Sequence, residues 1–164
     1  MTKLRREDFT FFWGGLFSQW ATTPFTIDGV EFNTAEQYMM YKKALMFNDF
    51  DAAKQIMETT SPMEQKHIGR GVKNFDKDVW EASCRKIVYD ANYAKVLQNQ
   101  DVMDEYHRTI MTEIVEASPE DRIWGIGLHE SDEDCLDRSK WKGTNWLGIA
   151  IMDVRDTLIE EGYM

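Results

Sequence analysis

The stretch from Asp76 to Gln98 constrains the fold more than any other part of the sequence, because it predicts the longest helix of the chain. Asp76 is a helix-capping residue type, and the apolar residues that follow it recur at helical spacing. They form one stripe, made of Trp80, Cys84, Ile87, Val88, Ala91 and either Ala94 or Val96. A helix with one apolar face buries that face against other elements, so a mostly helical fold is predicted.

The segment before this helix predicts a hairpin and a further helix. Asp28-Gly29 separates two β-prone runs within residues 25–32, which is the usual signal for a two-residue hairpin turn. Thr34 lies three residues before Gln37, and this spacing is typical of a capping box. A helix should therefore begin there.

The remaining signals complete an α+β, predominantly helical single domain over residues 1–164, with a small antiparallel β element. Helices are predicted over about 34–47, over about 49–58, from Ser61-Pro62 to Gly69 or Gly71, over about 101–112, and over 146–161 with Asn145 as the cap. The segment 113–128 has an irregular pattern with a short strand over 113–116. The acidic stretch 129–140 is expected to be exposed.

Charge and cysteine content limit the classes of function. The 164 residues include 29 acidic and 19 basic ones, for a formal net charge of -10. That charge argues against broad nucleic-acid binding, which needs Lys and Arg to neutralise phosphates, and leaves room for a local basic pocket. With no apolar run near the roughly 18 residues of a membrane span and no signal-peptide pattern, a soluble cytoplasmic protein is predicted. Cys84 and Cys135 are expected to be reduced, with Cys84 a buried hydrophobe rather than a nucleophile.

Several catalytic chemistries have no signature in this sequence. His67, His107 and His129 lie far apart in the chain, and neither HxxxH nor CxxC occurs, so no metal site and no cofactor are predicted. There is no P-loop, and WGIG at residues 124–127 falls short of a dinucleotide fingerprint. Carboxylates and aromatic side chains are the candidates that are left.

Glu36 is the first of these candidates, at the second position of the helix that Thr34 caps. The dipole and the free N–H groups of a helix start favour an anion, which suits an electrostatic stabiliser, a nucleophile or a water-orienting base. The alternative is a simple charge interaction at the helix start. Helical spacing puts Glu36 on one face with Met40, Lys43 and Phe47. This mixed face either lines a cleft or is an amphipathic edge from which Lys43 extends into solvent.

A second candidate wall lies in the irregular segment. Glu116 and Asp121 flank Ser118-Pro119 and lead to Trp124, so two acids and a planar ring come close in sequence beside glycines. The alternative is that either acid is only a cap or a turn former. The six Trp of the chain likewise fit either a Trp-rich core or surfaces that stack on a planar ligand.

A series of segments, in order over about residues 9–158, carries a family resemblance. The segments are LFSQW, PFTIDGVEFNTAEQYMMYKKALMF, GRGV, FDKDVW, AKVLQNQ, IVEASPEDRIWGIGL and WKGTNWLGIAIMDVR. Together they resemble the YbiA-like family, also called the NADAR superfamily. The resemblance implies a largely helical α+β fold and N-glycosidase chemistry without a metal or cofactor. One branch resembles enzymes that cut phosphorylated pyrimidine intermediates of riboflavin biosynthesis. Another removes ADP-ribose from guanine or binds NAD-derived ligands.

The resemblance also implies a set of site residues. Its catalytic candidates are Glu36, which would face the anomeric carbon of a sugar, and Asp121, which would protonate the leaving group or position water. Its substrate-binding candidates are Lys43 and Arg70 for a phosphate, Trp80 and Trp124 for a base, and Glu116, Ser18 and Gln19. The implied partner is a small phosphorylated ribosyl or ADP-ribosyl compound, and the net charge disfavours intact nucleic acid.

Three positions depart from the usual pattern of the family. Gln19 stands in place of an Asn, Gln37 in place of a common His, and Ile126 in place of an Asp that some members carry. If that Asp is catalytic in the riboflavin-type branch, Asp121 has to serve here. Three functions stay open: cleavage of riboflavin intermediates, removal of ADP-ribose from guanine, and binding of an NAD-derived ligand without turnover.

Overall fold

A computed structural model describes residues 4–164, and its secondary structure is mostly helical. The α-helices of this range are α1 (Ala35–Met46), α2 (Phe50–Glu58), α3 (Pro62–Arg70), α4 (Lys77–Gln98), α5 (Gln100–His107) and α6 (Trp146–Glu160). The strands are β1 (Phe9–Phe12), β2 (Phe25–Ile27), β3 (Val30–Phe32) and β4 (Glu113–Glu116). The predicted α+β, predominantly helical class is confirmed. In the same range no helix combines the length and the apolar character that a membrane crossing requires.

The chain folds into two compact units. One consists of the residues up to Ser18 together with Met103–Met164, and the other is Gln19–Val102. The single domain expected from the sequence stays a prediction.

In the Gln19–Val102 unit, β2 and β3 form the predicted antiparallel hairpin, with Phe25 opposite Phe32. Asp28 (φ 52°) and Gly29 (φ 79°) both adopt the left-handed conformation that a tight hairpin turn requires. The rings of Phe25 and Phe32 stack 5.8 Å apart, and both pack edge-on against Tyr38 of α1. The hairpin is therefore fixed to the helix that begins directly after it.

The start of α1 is capped as predicted and is also tied to its neighbours. Thr34 Oγ1 accepts a hydrogen bond from Gln37 N (3.0 Å) and donates one to Gln65 Oε1 of α3 (2.8 Å). Gln37 Oε1 accepts a hydrogen bond from Asn33 N (2.8 Å), whereas in a standard capping box it would accept from the N–H of the N-cap residue Thr34. Gln37 Nε2 donates to Ile56 O of α2. Gln37, which departs from the family pattern, thus has a structural role here.

Helix α3 packs closely along α1 in the same direction. Gln65 bonds to Thr34 at the start of α1, and one turn later Gly69 lies against Met40. A Cβ built on Gly69 would come within 1.9 Å of Met40 Sδ, so a side chain here would require the buried Met40 side chain to move. Of the two predicted stops, Gly71 is the one that ends the helix, and its N–H bonds to Ile68 O.

The long predicted helix is α4, with its N-terminus capped by Asp76 Oδ1. Its buried positions include the predicted stripe, with Cys84, Ile87, Val88, Ala91, Ala94 and Val96 in the core and Trp80 half-buried. Cys84 and Cys135 are both free, as expected; Cys84 is buried as predicted, whereas Cys135 is buried within the otherwise mostly exposed stretch 129–140. Burial raises the pKa of the Cys84 thiol, which fits a packed hydrophobe.

In the other unit, the sequence missed a parallel strand pair. β1 pairs with β4 in parallel, from Phe9 opposite Glu113 to Phe12 opposite Glu116, in addition to the antiparallel hairpin. The partners are about a hundred residues apart in the chain, so no local turn signal announces their pairing.

The ends of two predicted helices also differ from expectation. α5 stops at His107 instead of continuing to 112, and buried Arg155 of α6 donates hydrogen bonds to Thr109 O and Thr112 O. Asn145 precedes α6 in a left-handed conformation, and the cap predicted for its side chain is wrong. Asn145 Oδ1 accepts from Glu116 N (3.0 Å) and Nδ2 donates to Ile114 O (3.1 Å), so this side chain holds β4 instead.

Candidate active site

Glu36 lies in the first turn of α1 and is only 7% exposed. Its backbone N–H donates to Gln19 O (3.0 Å), which anchors the segment before the hairpin to the helix start. A carboxylate almost removed from water is favoured at this end of a helix, where the dipole is positive. The position thus places a buried carboxyl group at a helix start, and its electrostatic role stays a prediction.

Lys43 lies two turns further along α1 and is held between aromatic rings. Its ammonium lies 4.6 Å from the centre of the Phe75 ring and 5.5 Å from that of Trp80. Burial lowers the pKa of Lys43; Glu36 opposes this effect, and Arg70 adds to it. The structure thus brings together Glu36, Lys43, Arg70 and Trp80, four of the predicted residues.

The mixed face of α1 is not a solvated edge. Glu36, Met40 and Phe47 are buried and Lys43 is half-buried. Burial of this kind is also that of a packed core, so the cleft-lining interpretation stays a prediction.

The cations of this cluster form no close ion pairs, although Glu36 acts electrostatically on Lys43. Neither Lys43 nor Arg70 forms an ion pair with a carboxylate of residues 4–164. One turn before Arg70 on α3, the ammonium of Lys66 lies 5.8 Å from the centre of the Trp20 ring. Cations held by rings, as Lys43 and Lys66 are, keep their hydrogen-bond donors available.

Gln19 supports Glu36 through a network that the sequence did not indicate. Asn92 Nδ2 of α4 donates both to Val88 O (2.8 Å) and to Gln19 Oε1 (3.0 Å). Since a backbone carbonyl can only accept, the amide group of Asn92 faces Val88 and the oxygen of Gln19 faces Asn92. Gln19 Nε2 is then buried without a hydrogen-bond partner. Nothing in the pattern of α4 distinguished Asn92 from its neighbours.

Phe75 and Trp20 are the aromatic residues that sequence reasoning missed. Phe75 directly precedes the helix-capping Asp76, where an apolar residue is ordinary, and Trp20 follows Gln19 in a turn. Their importance comes from the cations beside them, which belong to other helices and are not visible in a local pattern.

The other predicted residues belong to the unit that contains β4. Asp121 Oδ1 accepts hydrogen bonds from Ile123 N (2.9 Å) and Trp124 N (2.8 Å), so Asp121 forms the turn that positions Trp124. Glu116 ends β4, and its carbonyl accepts from Ile126 N (3.0 Å). The structure gathers these predicted residues around one turn, and Asp121 has the turn-forming contacts that were its alternative interpretation.

Trp124 and Ser18 complete the predicted set. The Trp124 ring packs edge-on against Trp146, with ring centres 5.8 Å apart, and Ser18 N donates to Gly15 O (3.1 Å). Within residues 4–164 no three His, Cys, Asp or Glu side chains are grouped as a metal site.

Comparison with known proteins gives a family match over most of the chain. The sequence model of the NADAR domain matches residues 11–159. An N-glycosidase of Acanthamoeba polyphaga mimivirus is 41% identical over 146 residues, which cover 86% of each chain. Protein irg-1 of Caenorhabditis elegans is 40% identical over 131 residues, which are 79% of this chain and 62% of that protein.

A solved structure shares the fold. N-glycosidase YbiA of Escherichia coli is 29% identical over 147 residues, which are 90% of this chain and 83% of that one. The NMR structure of E. coli YbiA superposes with a TM-score of 0.78 at 26% identity, covering 98% of this chain and 91% of the other.

Proposed function

Because the chain belongs to the NADAR family, we propose that it is an N-glycosidase that hydrolyses the bond between a ribosyl group and the amine of a base-like leaving group. The ribosyl group carries a phosphate or is part of an ADP-ribosyl group. Relatives named N-glycosidases support the reaction class. The substrate is proposed from the cluster around Glu36.

One observation carries the proposal: a buried carboxylate shares a cluster with two cations that form no close ion pair in the described chain. Glu36 is the carboxylate, and Lys43 and Arg70 are the cations. Cleavage of an N-glycosidic bond develops positive charge at the anomeric carbon, which a fixed carboxylate stabilises. A phosphate on the same sugar would be bound by the cations, with Arg70 able to donate two hydrogen bonds to it.

In the proposed reaction, a water molecule adds to the anomeric carbon as the carbon–nitrogen bond breaks. The bonding electron pair leaves with the nitrogen, which takes up a proton, while the water loses one. The products are the free sugar hemiacetal and the free amine. Glu36 stabilises the cationic sugar and orients the water, whose proton it can accept.

The remaining roles rest on the resemblance. Asp121 is proposed as the donor of the proton to the leaving nitrogen, and Trp80 and Trp124 as surfaces for the planar base. Glu116, Ser18 and Gln19 are proposed to contact the substrate.

The test is a turnover assay with purified protein. Wild type and Glu36→Gln are offered phosphoribosyl-pyrimidine intermediates of riboflavin synthesis and, separately, ADP-ribosylated guanosine, and release of the base is followed by mass. Glu36→Gln removes the charge and keeps the shape. We expect it to lower kcat about 30- to 1,000-fold, because preorganised electrostatic groups contribute about 2–4 kcal/mol to the transition state.

Glu31→Gln is the matched control, since Glu31 is an exposed carboxylate on the hairpin of the same unit. It should turn over like wild type. Full activity of Glu36→Gln would remove Glu36 from the mechanism. If neither substrate is cleaved but both proteins bind ADP-ribose, the protein is a binding module instead of an enzyme.

A further inference from the structure

Phe75 is an exposed aromatic residue in contact with the candidate site. Its side chain is 46% exposed, yet its ring lies under the Lys43 ammonium. We propose that Phe75 is a further substrate-contacting residue, whose ring stacks on a planar group that the substrate carries beyond its phosphate. This inference rests on the proposed function and decides between the two substrate classes that it leaves open.

The backbone around Phe75 is held in place by hydrogen bonds. Asp49 Oδ2 accepts from Lys73 N (2.9 Å), and Asn74 Nδ2 donates to Phe47 O (3.5 Å). Hydrogen bonds from the backbone N–H groups of Lys73 and Ala52 hold the pKa of Asp49 below its ordinary value, so the Asp49 carboxylate keeps its bond to Lys73 N near neutral pH. The backbone that leads into Phe75 is therefore anchored to residues at the end of α1 and the start of α2.

One side of the Phe75 ring is already used. The Lys43 ammonium lies over it at 4.6 Å, and Phe47 packs against it edge-on with ring centres 5.5 Å apart. The exposed part of the ring is left for a ligand. Stacking of a base on an aromatic side chain tolerates any planar ring, because every base presents a π-face.

The order of groups along α1 defines which part of a substrate can reach Phe75. Lys43 lies two turns after Glu36, and Phe47 lies three, which is about 10 Å and about 16 Å along the axis at about 1.5 Å per residue. Phe75 packs on Lys43 and Phe47, so it lies at the end of the helix opposite to Glu36.

A phosphoribosyl group with its anomeric carbon at Glu36 and its phosphate at the cations would bring its phosphate near Phe75 but no planar ring, because the Lys43 ammonium lies 4.6 Å from the Phe75 ring centre. Only a substrate that continues past this phosphate would place a planar ring on Phe75. The chemistry that fits is a nucleoside diphosphate linked to the ribose, as in an ADP-ribosyl group.

The test uses two substrates with the same scissile bond. One is ADP-ribosylated guanosine, and the other is the phosphoribosyl-guanosine left when a phosphodiesterase removes its AMP. Phe75→Ala and Phe75→Leu are expected to lower kcat/KM for the first about 5- to 100-fold, mainly through KM, as for the loss of one stacked base. For phosphoribosyl-guanosine, kcat/KM of these two variants should change by less than about twofold. Phe75→Trp should keep activity on both substrates.

Phe50→Ala is the control variant. Phe50 is an exposed Phe of the same unit, 64% accessible on α2, and it does not contact Lys43. It should behave like wild type on both substrates. An equal loss of kcat/KM on both substrates for Phe75→Ala would mean that Phe75 acts only through Lys43 and would overturn the inference, as would no loss on either.

Calorimetry separates this inference from the proposed reaction. If wild type cleaves neither substrate, binding of ADP-ribose and of ribose 5-phosphate is compared in wild type and Phe75→Ala. A selective weakening for ADP-ribose supports the stacking role even though the reaction proposal fails. An absence of binding in wild type overturns both.

Discussion

Lys43 holds its charge between two aromatic rings rather than beside a carboxylate. The half-buried ammonium lies over Phe75 and near Trp80, and burial lowers its pKa despite the favourable effect of Glu36. Rings stabilise a cation without occupying its hydrogen-bond donors. At the scale of single residues, this arrangement supports the proposal that Lys43 binds an anion.

We expect Lys43→Met to raise KM for a phosphorylated substrate about 10- to 100-fold, because a hydrogen bond between charged groups contributes about 1.5–3 kcal/mol. Steady-state kinetics on the substrate found for wild type measures this. Lys54→Met is the control, since Lys54 is an exposed residue paired with Glu58 on α2. An unchanged KM for Lys43→Met would exclude Lys43 from substrate binding.

The KM of wild type should also depend on pH. Only the protonated form of Lys43 attracts phosphate, and its lowered pKa means that the proton is lost at a lower pH than from an ordinary lysine. KM is thus expected to rise early on the alkaline side. Lys43→Arg, which stays protonated, should show a flat profile, and a rise of the same size in that variant would contradict the assignment.

The packing of α3 against α1 brings Arg70 to Lys43. Gly69 lies against Met40, and it is inside the helix, although the sequence offered it as a possible stop. At the scale of elements, a missing side chain on one helix sets the spacing on which the cluster of Glu36, Lys43 and Arg70 depends.

We expect Gly69→Ala to lower the free energy of unfolding by about 1 kcal/mol or more. The new Cβ would displace the packed Met40, and overpacking typically costs about 1–3 kcal/mol, which exceeds the gain of up to about 1 kcal/mol in helix propensity. Denaturant unfolding measures the change. In Gly71→Ala the new Cβ only contacts Ile68 O at 3.6 Å, so this control should be near neutral. Equal stability of the two variants would show that the contact with Met40 does not limit packing.

The net charge of -10 and a cationic candidate site coexist because the cations are used in two ways. On exposed helix surfaces, Lys54, Lys77 and Lys86 pair with acids four residues later in the same helix. Lys43 and Lys66 lie over aromatic rings instead. At the scale of the whole molecule, the net negative charge disfavours the binding of a polyanion. It is compatible with the proposed local site for a small anion.

Stability should depend on pH through Lys95, which is 1% exposed in α4. Burial lowers its pKa to about 7, and Asp101 opposes this effect. Between pH 7 and about 10 the unfolded chain binds a proton at Lys95 that the folded protein does not. The contribution of Lys95 is thus most unfavourable below pH 7 and disappears towards pH 10.5. The difference between the ordinary pKa of 10.5 and the folded value of about 7 corresponds to at most about 5 kcal/mol in the free energy of unfolding.

Chemical denaturation of wild type and Lys95→Met at several pH values tests this expectation. The stability of wild type relative to the variant should rise as the pH rises from 7 to 10. Lys54→Met provides the exposed control, for which the difference should stay constant. A constant difference for Lys95→Met as well would mean that Lys95 keeps an ordinary pKa when folded.

The sequence by itself determined the elements whose signals are local. Thr34 and Asp76 mark helix starts because an N-cap side chain bonds to the N–H groups two or three residues later, and Asp28-Gly29 marks the hairpin because its turn needs positive φ at both positions. The placement of Glu36 in a first helical turn follows from the same signals.

Only the tertiary structure decided the contacts between distant segments. The pairing of β1 with β4, the bonds of Asn145 to β4, and the aromatic surroundings of Lys43 each join residues that are tens of residues apart or more. An isolated pattern does not specify these contacts, because the same side chain can satisfy its hydrogen bonds or bury its surface locally. Asn145 could have capped its own helix, and it bonds to a strand instead, since the fold brings the N–H of Glu116 and the carbonyl of Ile114 within its reach.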